Sequence, residues 1–559
     1  MMNTKRFIAW LLALAMVFAF VGCGSSEPAQ TEPQDVQQTI PATDPPVDDF
    51  DNTYVLDEIT VTGHLFPSSL VPTNTRTTST GIFYELYEML FLVSTDPETN
   101  GQLYPVLADG SKGEFGGYDH VPGSGEYTVY LKDYIYDSAG NHITASDVVF
   151  SYSATAAASN VAQWAVIEEI TADDDYTVTF HCSSDFPHVG DLLEVFANCF
   201  IFSEKAFNES PTGFATDACG TGPYVLESYT TGSGLVLKAR EDYWETDPAK
   251  RAQISQANVK TINWMEINES SQKVINLQTG DLDVVEEIPF AMLGDFQDGG
   301  KYGDKFDVYH HGSHESKYLI ANCSPNSLCG DVNLRMAIFY AIDTQGIVAA
   351  LGAGTAEVNY APGNASFPDY NPEWETWDNY QTSSDPAKVK EYLDASSYDG
   401  ETLELICSNR YTDIAQVIQQ QLINAGIDVH LNILDAATSN QIRTHSDEWD
   451  LNIGSTAAND YIVNAWGAFM ADGYTAAPLN INFIDDGGKC EELLNACRTE
   501  EGHTAENMNA WLKYVQDNAY AMGLNSSISY IVYPSNVTGI CLNNRGFIVP
   551  GGWSFTPAE

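Results

Sequence analysis

Basic residues are scarce in this chain: 24 Lys and Arg stand against 77 Asp and Glu, a formal charge of −53. So anionic a surface repels phosphate backbones and acidic bilayers, which argues against a nucleic-acid partner or a membrane-surface role for the folded body. Cysteine is sparse as well. Apart from Cys23 there are nine, at 182, 199, 219, 323, 329, 407, 490, 497 and 541, and none forms a CxxC pair, so a zinc ribbon has no ligands. The odd count leaves at least one unpaired; Cys323/Cys329 and Cys490/Cys497 lie near enough in sequence to bridge, or to stay free as small buried side chains, and spacing does not choose. GxSxG, HExxH and GxxxxGK[ST] are all missing, so serine-hydrolase, zincin and P-loop chemistries lack their local signatures. The segment DPETNG at 96–101 opens like a calcium loop, but the twelfth position is Leu107 rather than Glu, and it reads as a turn. Beyond the first residues, no run approaches the roughly 18 apolar residues of a spanning helix.

What is present points to a globular, exported protein. Hydrophobic residues make up 44% of the chain and aromatic residues 12%, against 18% charged, which suffices for large cores. At about 150 residues per domain, 559 residues suggest two to four domains. Lys5 and Arg6 precede an apolar run from Phe7 to Val21 that closes on Gly22-Cys23. This resembles a bacterial lipobox and implies a signal at 1–22, cleavage before Cys23 and a lipid on its sulfur; an ordinary cleaved signal or a short anchor is the alternative. Residues 23–51 are rich in Ser, Glu, Pro, Gln and Thr and read as a disordered linker.

The body alternates strands and helices. YTVYL at 127–131 reads as a strand and DSAGN at 137–141 as a turn, followed by a capping box, Thr144 with Asp147, that opens a helix. Ile414, Val417, Ile418 and Leu422 recur at helical spacing before Gly426 supplies the stop, and Ile427, Val429, Leu431 and Ile433 then alternate as a strand. Asp385-Pro386 starts another helix, through Val389, Tyr392 and Leu393, and Asp331 caps one that carries Arg335, Met336, Phe339 and Tyr340. The pattern predicts an α/β fold of at least two lobes.

Several segments, in order, resemble the family 5 extracellular solute-binding proteins of ABC importers. These are YELYEMLF at 84–91, LYPVLAD at 103–109, YTVYLKDYIYDSAGNHITASDVVFSY at 127–152, GTGPYVLESYTTGSGLVLKAREDYW at 220–244, LQTGDLDVV at 277–285, LRMAIFYAID at 334–343 and IQQQLINAGIDV at 418–429. By themselves the glycines of Gly220-Thr221-Gly222-Pro223 read as backbone punctuation of a hairpin, since no Lys-Ser/Thr follows, and Tyr224, Tyr243 and Trp244 read as core.

The resemblance implies a two-lobed periplasmic-binding-protein-like fold of type II, the large peptide-binding class, with a two-stranded hinge. Lobe one is expected at 52–315 and again at 529–559, and lobe two at 316–528. It further implies a monomeric, cofactor-free receptor without enzyme activity, tethered outside the cytoplasm by its lipid alone, that passes an oligopeptide or dipeptide to permease subunits. A sugar, nickel or a metal chelate on the same scaffold is the alternative, and a surface-anchored hydrolase a lesser one. In the family's peptide-binding branch an Asp late in lobe two pairs with the peptide amine. Here that position falls on Ala458, which leaves Asp460 as the cation partner, with Asn459 and Trp466 beside it; a solvated loop carboxylate is the plainer account. On lobe one, Thr77, Thr78, Ser79 and Tyr84 sit where family members line the cleft, unless the hydroxyls cap the helix entered near Thr80. His310, His311 and His314 could present two imidazoles to nickel or zinc, or be a polar strand-to-loop tract; no metal ligand is assigned.

Overall fold

The computed structural model describes residues 55–557 apart from 64, 74–79, 95–101, 160–161, 353, 366, 378–382, 458–460 and 472–481. The segments expected as signal and linker, Cys23, and the candidate residues Thr77, Thr78, Ser79, Asn459 and Asp460 lie outside the described residues.

The local elements follow from side chains that satisfy helix ends. Thr144 and Asp147 form the expected capping box at the start of helix Ala145–Ala158. Asp385 accepts from the amides of Ala387 and Lys388 at 2.9 and 3.1 Å to open helix Pro386–Ala395, and Asp331 accepts from Asn333 at 2.8 Å to open Val332–Ala341. Helix Thr412–Asn424 buries Ile414, Ala415, Ile418 and Leu422, and Gly426, at φ +84°, ends it in the left-handed region that a side chain disfavours.

A mixed sheet carries both halves of the body. Its strands are β1 (Leu56–Thr62), β2 (Tyr224–Thr230), β3 (Gly234–Ala239), β4 (Val259–Met265), β5 (Val284–Glu286), β6 (Phe306–Ala321), β7 (Ala356–Val358), β8 (Leu403–Ser408), β9 (Val429–Leu434), β10 (Leu451–Ala457) and β11 (Ala521–Pro534). In space they run β2-β3-β4-β1-β5-β11-β6-β10-β8-β9, with β7 added to β11. The hairpin β2–β3 is the segment bracketed by Gly-Thr-Gly-Pro-Tyr and Asp-Tyr-Trp. Its glycines allow close approach: a Cβ on Gly222 would meet the Glu85 carbonyl oxygen at 2.4 Å, and one on Gly220 the Leu86 carbonyl oxygen at 2.1 Å. Tyr224, Tyr243 and Trp244 are buried, as their reading as core expects. A second sheet of four short strands, including Glu126–Tyr130 and Thr177–Cys182, supports helix Ala145–Ala158.

Apolar packing divides the molecule in two. Three clusters draw their buried residues from 59–306 and 530–555. Two others draw theirs from 318–522 and 524, with Val189 the one buried contributor from outside that range among the described residues. Between the two groups run β6 and β11, paired antiparallel from Phe306↔Pro534 to Ile320↔Ala521, with the register shifting between Gly312 and Ser316 and again between Ser316 and Tyr318. Each lobe therefore has its own core, and a two-stranded ribbon enters both.

The cysteines are all free among the described residues. Cys490 and Cys497 lie seven residues apart on helix Lys489–Arg498, about 10 Å along its axis, beyond the reach of a disulfide. Cys323 and Cys329 are likewise unbridged.

Candidate functional site

The strand directions bring two carboxyl edges face to face. In lobe one β1 is parallel to both β4 and β5, and these strands end at Thr62, Met265 and Glu286. In lobe two β8 is parallel to β9 and β10, which end at Ser408, Leu434 and Ala457. Because β5 is antiparallel to β11, β11 to β6, and β6 to β10, the two sets point at each other along the ribbon. Ligands of open α/β sheets bind outside the carboxyl ends of such strands, where the loops present polar groups that the sheet itself leaves unused.

The lobe-two edge is polar and tied together. Arg410 donates to Glu315 Oε2 at 2.7 Å, Tyr411 shares a hydrogen bond of 2.7 Å with Ser455 and donates to Glu315 Oε1 at 3.3 Å. Lys317, two residues on from Glu315 along the same strand face, donates to Ser527 at 2.8 Å; burial lowers its pKa, and the Glu315 carboxylate opposes that shift. On the other face a buried chain runs through the ribbon: Asn359 donates to Ser316 at 2.7 Å, Ser526 donates to Asn359 at 2.8 Å, and Asn364 donates to Ser526. Buried side chains so satisfied hold one arrangement, which keeps the strand ends in place.

At the lobe-one edge Lys273, on helix Ser270–Thr279, spans the ends of β1 and β5 by donating to the carbonyls of Gly63 at 3.4 Å and Glu286 at 3.3 Å. Burial lowers its pKa, countered by Glu287 and Glu286. These residues border a crevice of about 330 Å³ lined by Asn268, Lys273, Glu287, Phe290, Thr355 and Tyr530 among others. The crevice lies beside the ribbon and takes its wall from both lobes, since Thr355 precedes β7 while Lys273 and Glu287 flank β5.

Of the expected site residues, Tyr84 and Trp466 are described, and both are enclosed by protein. Tyr84, 5% exposed, donates to Asn544 at 3.0 Å and meets Phe200 edge-on at 5.3 Å, and burial raises its pKa. Trp466 is fully buried against Tyr318 and Phe469 and donates its indole N–H to the Pro362 carbonyl. In this conformation neither offers a surface to a solute. Thr80 stands at the N-cap of helix Gly81–Leu86, but its hydroxyl makes no capping bond. His310 and His311 are consecutive on β6, so their side chains leave opposite faces of the sheet. His310 lies by Tyr530 and His311 by Tyr309, and no cluster of metal-ligating side chains occurs among the described residues. Glu315, Lys317, Arg410, Tyr411 and Ser455 were not singled out by local pattern; their pairing depends on strand order and register among β6, β8, β10 and β11, which no short motif encodes.

Two core-bearing lobes, a shared ribbon and opposed carboxyl edges define a type II periplasmic-binding-protein-like fold. The family model "Bacterial extracellular solute-binding proteins, family 5 Middle" matches residues 102–474, and the chain belongs to that family. It is 26% identical over 410 residues to the probable D,D-dipeptide-binding periplasmic protein DdpA of Escherichia coli, covering 71% of this chain and 75% of that protein. The oligopeptide-binding protein AppA of Bacillus subtilis, solved with a nonapeptide, superposes with a TM-score of 0.65 at 18% identity over 90% of this chain and 99% of that one. NikA of Staphylococcus aureus, solved with Ni(L-His)2, gives 0.62 at 18% identity over 89% and 100%. The protein is thus a solute-binding component of an ABC importer.

Proposed function

We propose that this receptor captures a dipeptide or oligopeptide between its lobes and passes it unchanged to the permease, anchored to the membrane by a lipid on Cys23. The observation that carries the peptide reading is the alignment with DdpA, a dipeptide-binding protein by its name, over most of both chains. The opposed edges support it: Thr77, Thr78 and Ser79 on lobe one and Asn459 and Asp460 on lobe two would supply contacts, with Asp460 as partner of the peptide amine. Bending is assigned to the register shifts near Gly312–Ser316 and their β11 partners, close to the lobe boundaries expected from the sequence at 315/316 and 528/529. A nickel chelate is the weaker reading, because the likeness to NikA, at 18% identity, is one of fold alone.

Native mass spectrometry of freshly purified protein tests this. The expected result is an added mass of two or more amino-acid residues at one per protein, released intact on unfolding. A sugar or metal adduct, or a cleaved peptide, would refute the peptide reading. The anchor is tested by fatty-acid labelling, which Cys23→Ala should abolish.

A further inference from the structure

Val189 does not belong to the lobe in which it packs. It sits on the turn between strand Thr177–Cys182 and helix Asp191–Phe196 of lobe one, yet it is nine-tenths buried in a cluster whose other buried members come from lobe two. Both backbone groups are taken by that lobe. Its N–H donates to the Arg498 carbonyl at 2.6 Å, and its carbonyl accepts from the Asn464 side-chain amide.

Each side of this contact is held in shape beforehand. On lobe one, Asp185 accepts from the backbone amides of Gly123 and Gly125, and Phe186 donates its N–H to the Tyr127 hydroxyl at 3.1 Å while its ring packs on Tyr127 at 4.8 Å. Gly190, at φ +82°, then turns the chain, and Asp191 accepts from the His188 N–H at 3.0 Å. On lobe two, Arg498 is the last residue of helix Lys489–Arg498, so its carbonyl has no partner inside the helix and is a ready acceptor. Its guanidinium donates to Asn495 Oδ1 at 3.1 Å and to the Asn464 side-chain Oδ1 at 3.4 Å, which aims the Asn464 side-chain amide at Val189. Preformed partners lose little conformational freedom on docking, so a small contact has a large effect on the equilibrium.

The geometry points to a clasp, Val189 in a socket formed by Asn464 and Arg498, that holds the lobes together without solute. These residues therefore set affinity although they touch no solute, since apparent affinity scales with the fraction of receptor already in the binding-competent state. Asn464 lies in helix Ile462–Ala465, a few residues beyond Asn459 and Asp460, so occupation of that segment and closure of the clasp bear on one short helix. The inference rests on the hinged-receptor reading but not on the nature of the solute.

The test uses the solute-free protein, stripped by unfolding and refolding. Amide hydrogen exchange over 186–192 should be slow in the native sequence. It should speed up on the order of ten- to a hundredfold in Val189→Gly, which removes a buried side chain from the contact. Asn464→Ala should act in the same direction, and small-angle scattering should show a larger radius for both. Circular dichroism and melting separate an opened receptor from an unfolded one. Fast exchange at 186–192 in the native sequence, or equal exchange in native and Val189→Gly proteins that are both folded, would overturn the clasp. Failure of the peptide reading would appear only in the mass of the bound solute and leave these results unchanged.

Discussion

Glu85 makes the pH response of this fold measurable. The side chain is fully buried and accepts hydrogen bonds from the Trp264 indole at 2.9 Å and the Gly551 amide at 3.2 Å. Burial outweighs both donors and pushes its pKa from 4.5 up to about 8. Between those values the folded protein holds a proton that the unfolded chain releases. The contribution is therefore fully present below pH 4.5, falls as pH rises through the interval, and levels off above about 8. At ~1.4 kcal/mol per pH decade from 4.5 to about 8, the loss is at most roughly 5 kcal/mol. Glu85→Gln removes the titration and offers one acceptor where the carboxyl offered two, so it costs about 1–3 kcal/mol relative to the native protein with Glu85 protonated, an offset that does not itself vary with pH. Melting curves from pH 5 to pH 9 should then cross: the variant is less stable at pH 5 and the more stable of the two at pH 9. Glu88 and Glu194, whose pKa values burial also raises, remain in both proteins and cancel in the difference. Parallel curves for the two proteins would refute the argument.

Three further outcomes follow from the packing. Gly222→Ala should destabilise lobe one by several kcal/mol, because its Cβ would lie 2.4 Å from the Glu85 carbonyl oxygen; an unchanged melting temperature would show that the motif's glycine has no steric role. Trp466→Ala should cost about 3–5 kcal/mol of stability through the cavity it leaves, read by denaturant unfolding, whereas a loss of solute affinity alone would mean that the ring faces the solute. Calorimetry with nickel at micromolar concentration should give no heat attributable to His310 and His311, and a heat abolished by substituting both would reverse that reading.

What could be read from the sequence was local chemistry. Asp331, Asp385 and the Thr144–Asp147 pair announce helix starts because a cap needs only residues two or three apart, and the structure places all three where the spacing puts them. The hairpin bracketed by Gly220 and Trp244 was legible for the same reason. The polar lobe-two edge was not. Glu315 and Arg410 are 95 residues apart and Tyr411 meets Ser455 across 44, so their meeting depends on strand order and register, which one sequence does not reveal. The clasp was hidden likewise, since a Val in SSDFPHVGD carries no sign that its socket lies some 275 residues downstream.

The discontinuous first lobe has a consequence for how the chain matures. Ile531, Tyr533, Ile548 and Trp553 pack with Ile59, Phe83 and Trp264, so that core cannot close until residues near 550 are available. The second lobe draws its buried residues almost wholly from one stretch and can condense early, while the first-lobe core around Ile59 and Trp553 waits, since contacts of such long separation are slow to form. In a polypeptide threaded through an export channel, that one core would stay open until the final segment emerged and completed the globule on the far side.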